Sequence, residues 1–269
     1  MKFQTTVCAL WIAAAGAALF CGCSPTGQQQ KAITLTYANF PPASTFPCVQ
    51  MEHWKEEVEK RTGGRLKVQT FPGGTLLGAK DIFDGVKQGS ADIGNFAMSY
   101  QPGRFPVSEA VDLPIGFPSA YAATMTFCDV MEQFKPAEFD DVEVLTVFTC
   151  PPAAIMASAP LPSLDALRGL ELRVSGTGAE LLKCLGGVPV AMPMSETPDA
   201  LQKGVVKGLI SSMEILKDMN FVAYCPHALR VNLNVVTFAV VMNKASYAAL
   251  PDDVKGILKD LYREQAEWT

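Results

Sequence analysis

LPSLDALRGLELRVSGTGAELLKCLGGVPVAMPMSETPDALQKGVVKGLISSME, residues 161–214, is the stretch that decides the fold. Leu170–Val174 alternates apolar and polar residues as a strand, a Gly176-Thr177-Gly178 turn follows, and a helix opens near Ala179. Val188–Val190 reads as the next strand, Ser195 as the cap of a helix ending near Gly204, and a further strand runs to Ser212. Strand–turn–helix units in succession are the pattern of an α/β protein. Arg173 stands inside the first of these strands. A guanidinium there has two fates: it pairs with a carboxylate of its own chain, or it faces a cleft and receives one from outside. The strand alone leaves both open. The Gly-Thr-Gly turn is compatible with an anion cradle at a helix start. It lacks the spacing of a dinucleotide or P-loop motif, so its plainer reading is a turn.

The alternation continues outward from this block. Ile33–Asn39 reads as a strand broken by Pro41-Pro42, and Met51, Trp54 and Val58 share a helical face that stops at Gly63-Gly64. Leu66, Val68 and Thr70 form a strand. Ile82, Phe83 and Val86 mark a short helix, and ADIGNFA (91–97) a buried strand. A proline- and aromatic-rich loop leads to a helix from Ser119 to about Phe134, and Val142–Thr149 is a strand. Cys150-Pro151-Pro152 reads as a crossing between domains. Beyond the opening block, Val235–Val241 is a buried strand, and Pro251-Asp252-Asp253 opens a final helix with proline and acid in its first turn.

With 269 residues, 49% of them apolar and 18% charged, the chain has ample core for two small domains. A net charge of −5 argues against nucleic acid as a partner. Lys2 and the apolar run Val7–Phe20 form an export signal, too short for a bilayer span. It ends at Cys21-Gly22-Cys23, where Cys23 is the candidate acylated residue of a lipoprotein; plain secretion is the other reading. Either places the mature chain outside the cytoplasm, in the periplasm, where it meets a membrane only through such an anchor. Of eight cysteines, five follow this region, at 48, 128, 150, 184 and 225, without metal-ligand spacing. They read as small buried hydrophobes, with room for a disulfide. His53 and His227 stand outside any catalytic spacing, and GxSxG, HExxH and CxxC motifs are absent from the sequence. The residues therefore point to binding without catalysis and imply no cofactor.

Four collinear blocks carry a family resemblance: WKEEVEKRTGGRLKVQTFPGGTLLGAKDIFDGVKQGSADIG, PGRFPVSEAVDLPIGFPSAYAA, SLDALRGLELRVSGTGAELLKCLGGVPVAMPMSETPDALQKGVVKG and VVMNKASYAALPDDVKGIL. The chain resembles the extracytoplasmic solute receptors of tripartite ATP-independent periplasmic (TRAP) transporters, of the C4-dicarboxylate-receptor (DctP) type. The resemblance implies a two-lobed, periplasmic-binding-protein-like fold with a hinge between two mixed-sheet α/β domains. It also implies a small organic acid as ligand, small and large membrane permease subunits as partners, and further helices beyond Thr269. Signal (1–23) and linker (24–31) precede domain I (32–150 with 239–269) and domain II (151–238). Arg173, in the "LRV" block, is implied to bind the carboxylate.

Departures from the family pattern shape the expected ligand. The crossing CPPAAIMAS carries no second base, and the asparagine-proline pair after the "VDG" position is replaced by GLISSME (208–214). Arg173 then holds one end of the acid and neutral groups the rest. Met98, Met194 and Met213 with Phe96, Tyr100 and Phe117 suggest an apolar or aromatic ligand body, which disfavours a plain dicarboxylate. Ser211, Ser212 and Glu214 follow a strand end, where ligand sites gather, and are equally suited to capping the next helix. A receptor serving a sensor kinase or another transporter, an enzyme on a similar two-lobed fold, and a truncated, non-functional copy are the alternative readings.

Overall fold

A computed structural model of the protein describes residues 32–269. The predicted signal, Cys23 and the linker to residue 31 lie outside the described residues. The first lobe runs β1 (Ile33–Asn39), α1 (Phe46–Arg61), β2 (Leu66–Phe71), α2 (Ile82–Lys87), β3 (Ile93–Ala97), α3 (Pro106–Glu109), α4 (Ala120–Phe134) and β4 (Val142–Thr149). The chain then crosses into β5 (Ala154–Ala157), β6 (Glu171–Val174), α5 (Gly178–Cys184), β7 (Val188–Ala191), α6 (Thr197–Gln202), β8 (Gly208–Ser211), α7 (Ile215–Asp218) and β9 (His227–Leu229). It returns through β10 (Thr237–Asn243), α8 (Lys244–Ala248) and α9 (Asp252–Trp268). Each lobe holds one five-stranded sheet, ordered β2-β1-β3-β10-β4 and β7-β6-β8-β5-β9. Both are mixed: β10 runs antiparallel to β3 and β4, and β5 antiparallel to β8 and β9. No helix among the described residues is long and apolar enough to cross a membrane.

Local chemistry explains most of these elements. Met51, Trp54 and Val58 bury one face of α1, with the Trp54 ring edge-on to Tyr37 of β1 at 5.8 Å. Gly63 and Gly64 then take φ of +62° and +77°, which glycine adopts without a Cβ penalty. The Ser119 side chain caps α4 by accepting from the Ala122 N–H at 3.1 Å. All seven residues of β10 are buried, as befits a strand paired on both sides and covered on both faces.

The structure corrects the sequence reading at Ser195 and at β5 and β9, and adds detail at the return crossing and at the cysteines. Ser195 caps no helix: it lies in a 3-10 turn, Met194–Glu196, and α6 begins at Thr197 without a side-chain cap. The first-lobe sheet resumes at Thr237, two residues ahead of the boundary expected at 239. Strands β5 and β9 lie in segments that carry no strand reading in the sequence, because three or four residues hold too little periodicity to register. The five cysteines among the described residues are free, Cys184 exposed and the others buried, so no disulfide joins two described residues.

Two crossing segments join the lobes and run side by side. Cys150 N–H donates to Val236 O at 3.0 Å, Ala153 N–H to Asn234 O at 2.7 Å, and Leu233 N–H to Ala153 O at 3.0 Å. Asp112, fully buried within the proline-rich loop, anchors the second segment by accepting from the Thr237 N–H at 2.8 Å. Burial pushes its carboxyl up to about 7, against the pull of the hydrogen bonds from Thr237. Because the folded value lies above the unfolded one, the stability contributed by this group is fully present below about pH 4 and is lost as pH rises through about 7. Wild-type Tm is therefore expected to exceed its pH 8 value when measured at pH 5. Asp112→Asn keeps the acceptor oxygen and should flatten that component of the profile. Parallel wild-type and variant profiles between pH 5 and 8 would count against the assignment.

Candidate functional site

Arg173 occupies β6 between β7 and β8, opposite Val190 and Leu209, so two neighbouring strands hold its backbone. Its side chain is 2% exposed, and among the described residues it is the one buried cation. Arg61, Arg65, Arg104, Arg168 and Arg263 each pair with a carboxylate nearer the surface. Arg173 pairs with none of the described carboxylates. Its Nε donates to Met192 O at 3.0 Å and its Nη2 to the Tyr100 hydroxyl at 3.4 Å, leaving most of a five-donor fork without a partner. A buried charge in this state is costly unless something completes it.

The space beside the guanidinium is a narrow cavity of about 60 Å³, walled by both lobes. Lobe one supplies an aromatic floor. Phe40 and Phe238 lie nearly parallel at 6.3 Å, Phe46 meets Phe238 edge-on at 6.0 Å, and Tyr100 meets Phe40 edge-on at 5.3 Å. Lobe two supplies Arg173, Ser175, Met194, Ser211, Ser212, Glu214 and Met219. Three contacts close the lobes around it. The Tyr100 hydroxyl accepts from the Met194 N–H at 3.0 Å as well as from Arg173, and the Ser44 hydroxyl donates to Asp218 O at 3.2 Å. Gly176 (φ +33°) packs against Ser99 so tightly that a Cβ there would stand 2.6 Å from the Ser99 carbonyl oxygen.

Of the sequence candidates, Arg173, Tyr100, Met194, Ser211 and Glu214 converge on this cavity. Phe96 and Met98 do not. Every residue of β3 is buried, and the Phe96 ring packs between Phe83 (5.1 Å) and Phe105 (5.2 Å) in the core of lobe one, which also takes Met98. Phe117 packs against the same core. Met213 lies outside the cavity lining, to which its neighbours Ser211, Ser212 and Glu214 contribute. Sequence reasoning missed Phe40, Phe46 and Phe238. Phe40 directly follows β1, and the rule that ligands gather beyond the carboxyl ends of parallel strands was the signal available for it.

Glu214 is half-buried, and its carboxyl lies above the ordinary range, first because of burial and then because Asp218 is near; the Ser212 hydroxyl donates to its Oε1 and pulls the other way. It does not cap α7: its backbone is already helical and its side chain makes no cap hydrogen bond. A larger, more open groove of about 740 Å³ lies on the outer edge of lobe one beside β4, lined by Lys135, Glu143, Tyr247 and Tyr262 among others. It contains no buried unpaired charge, so size alone does not make it the site. Among the described residues no group of His, Cys, Asp and Glu is arranged to hold a metal ion.

Residues 37–269 match the signature of the DctP family, bacterial extracellular solute-binding protein, family 7. The chain belongs to that family. Within it, the chain is 31% identical over 159 residues to the uncharacterized protein YiiZ of Salmonella typhimurium, an alignment covering 57% of this chain and 49% of YiiZ. The chain thus spans about half the length of that relative. A TRAP periplasmic solute-binding protein from Desulfovibrio salexigens is 55% identical and superposes with a TM-score of 0.77, covering 88% of this chain and 74% of that one. Its crystal structure is an open complex with the C-terminus of a symmetry mate in the ligand-binding site. A TRAP solute-binding protein from Rhodoferax ferrireducens, 28% identical with a TM-score of 0.84 (88% and 77% covered), holds copurified benzoate. The two-lobed α/β architecture implied by the family resemblance is the one observed.

Proposed function

We propose that the chain is the extracytoplasmic receptor of a TRAP transporter, and that it captures a small monocarboxylic acid with an aromatic or apolar body between its lobes. The observation that carries this reading is Arg173: a buried guanidinium without a counter-ion at the wall of an inter-lobe cavity. A carboxylate entering there completes the fork in bidentate geometry, and the Phe40, Phe46, Phe238 and Tyr100 rings receive its body. The benzoate of the Rhodoferax protein, and the chain terminus seated in the Desulfovibrio one, support a carboxylate as the recognised group.

Capture works by population shift. The acid binds the closed arrangement better than the open one, because Arg173 and Tyr100 come from different lobes and meet only on closure. The closed receptor then docks on the integral membrane subunits of the transporter in the periplasm, with Cys23 as a lipid anchor. No step of this cycle needs a nucleophile or a metal, so the chain acts without turnover.

Thermal-shift screening of residues 32–269 against keto, hydroxy, aromatic and dicarboxylic acids tests the reading. A ligand at 100 times its Kd contributes about 2.7 kcal/mol, or roughly 5–10 °C in Tm for a chain of this size. Aromatic monocarboxylates are expected to give the largest shifts. A panel in which only dicarboxylates stabilise, or none of the acids does, sinks it.

A further inference from the structure

The proposed reading leaves Glu214 unexplained. It is a carboxyl group on the wall of a mostly apolar cavity, and no basic side chain of the described residues pairs with it. The Ser212 hydroxyl engages Oε1, and Oε2 receives no bond from another described residue. An acid so placed either caps a helix, balances a cation of the protein, or waits for a donor. The capping role is unfilled, since Glu214 makes no side-chain bond to α7. The balancing role is unfilled too. Arg173 is the cation on the same wall, fixed by Met192 O and the Tyr100 hydroxyl, and the two charges do not meet. Arg173 stands in β6 opposite Leu209 of the neighbouring β8, and Glu214 follows three residues past the end of β8.

We propose that Glu214, steadied by Ser212, is the second polar anchor of the inter-lobe cavity. The acid bound there carries a hydrogen-bond donor, a hydroxyl or an ammonium group, on the part of its body away from the carboxylate. This rests on the carboxylate-receptor reading and adds a ligand chemistry to it. A carboxylate is an acceptor with room for several donors. Withdrawing it from water without a donor is unfavourable, so a ligand bringing one gains relative to a ligand that does not. The same wall carries Asp218, whose charge adds to that of Glu214. A second carboxylate on the ligand meets repulsion at this end, whereas a donor of either kind is attracted. Site-built discrimination of this type separates an acid with the donor from its bare counterpart, because the bare acid leaves Glu214 unsatisfied.

The experiment is calorimetric titration of wild type, Glu214→Leu, Glu214→Gln and Arg173→Met with benzoate and phenylacetate. Each acid is used bare and with a hydroxyl or aminomethyl group at the meta or para position. The expected result is that wild type favours at least one donor-bearing acid over its bare parent by about 10-fold or more. Glu214→Leu should bring the ratio of donor-bearing to bare acid close to one, and Arg173→Met should lose binding of both. Glu214→Gln keeps an acceptor without charge: it should retain a hydroxyl preference and lose an aminomethyl one, which tells the two donors apart and stands in if the leucine variant does not fold. Equal affinity for bare and donor-bearing acids in wild type overturns this proposal and leaves the carboxylate reading intact. So does an unchanged ratio in both Glu214 variants. Failure of wild type to bind any of these acids overturns both.

Discussion

Arg173→Met is expected to weaken binding of any carboxylate ligand by at least about 100-fold. Two charge-assisted hydrogen bonds of about 1.5–3 kcal/mol each are lost, and each 1.4 kcal/mol is about tenfold in affinity. Arg173→Lys should fall between the two, since it keeps the charge and loses the planar fork. The informative companion is stability. Were the guanidinium a structural ion pair, removing it would strand a buried carboxylate and cost about 3–5 kcal/mol. Here no described carboxylate pairs with it, and methionine replaces a buried charge with an apolar chain of similar reach. Loss of the bond to Met192 O opposes the relief of an uncompensated charge, so the ligand-free Tm should move little or rise. Calorimetric titration and thermal melts on the same preparation decide the matter. Retained affinity, or a sharp drop in ligand-free Tm, would falsify the assignment.

Gly176→Ala is expected to act on closure rather than on contacts with the ligand. The new Cβ would stand 2.6 Å from the Ser99 carbonyl oxygen and 2.7 Å from the Ser99 Cβ, with the backbone at φ +33°. Both neighbours belong to the opposite lobe and sit close to or within its main chain, so relief comes by holding the lobes apart. Overpacking of this kind costs about 1–3 kcal/mol. Borne by the closed state alone, it lowers the apparent affinity by about 5- to 150-fold, because only the closed fraction binds tightly. Small-angle scattering should show a larger radius of gyration for the ligand-loaded variant than for loaded wild type. Gly178→Ala is the control: its Cβ would meet only Val174 Cβ, at an ordinary 3.6 Å, and affinity should be preserved. Equal behaviour of the two variants would mean that the Ser99–Gly176 approach is not part of closure.

The elements legible in the sequence were those whose signal is local and repeated. Met51, Trp54 and Val58 announce α1 within two helical turns, Ser119 marks the start of α4, and seven apolar-rich residues declare β10. Strands β5 and β9 lacked such a signal. They exist because β5 pairs with β8 on one side and β9 on the other across long sequence separations, and Ile155 opposite Leu229 is a contact that no window of residues contains. The cavity divides the same way. Arg173 was marked by the family resemblance, Ser211 and Glu214 by their place at and past a strand end, and Tyr100 and Met194 only as members of an apolar and aromatic set that also held Phe96, Met98 and Met213. Phe40, Phe46 and Phe238 look like any core phenylalanine, and Phe96 looked no different from them. Which rings face the cavity depends on the direction each strand end turns after two lobes have assembled.

From composition and periodicity come the α/β class and a cation in a strand, and from the resemblance of four collinear blocks comes the family; all three are written along the chain itself. The fold alone decided that this cation has no partner among the described carboxylates, that Glu214 caps nothing, and that Ser99 and Gly176 meet. Each of these depends on which groups approach through space, and a guanidinium's free energy is set by the neighbours it meets there rather than by those beside it in the chain.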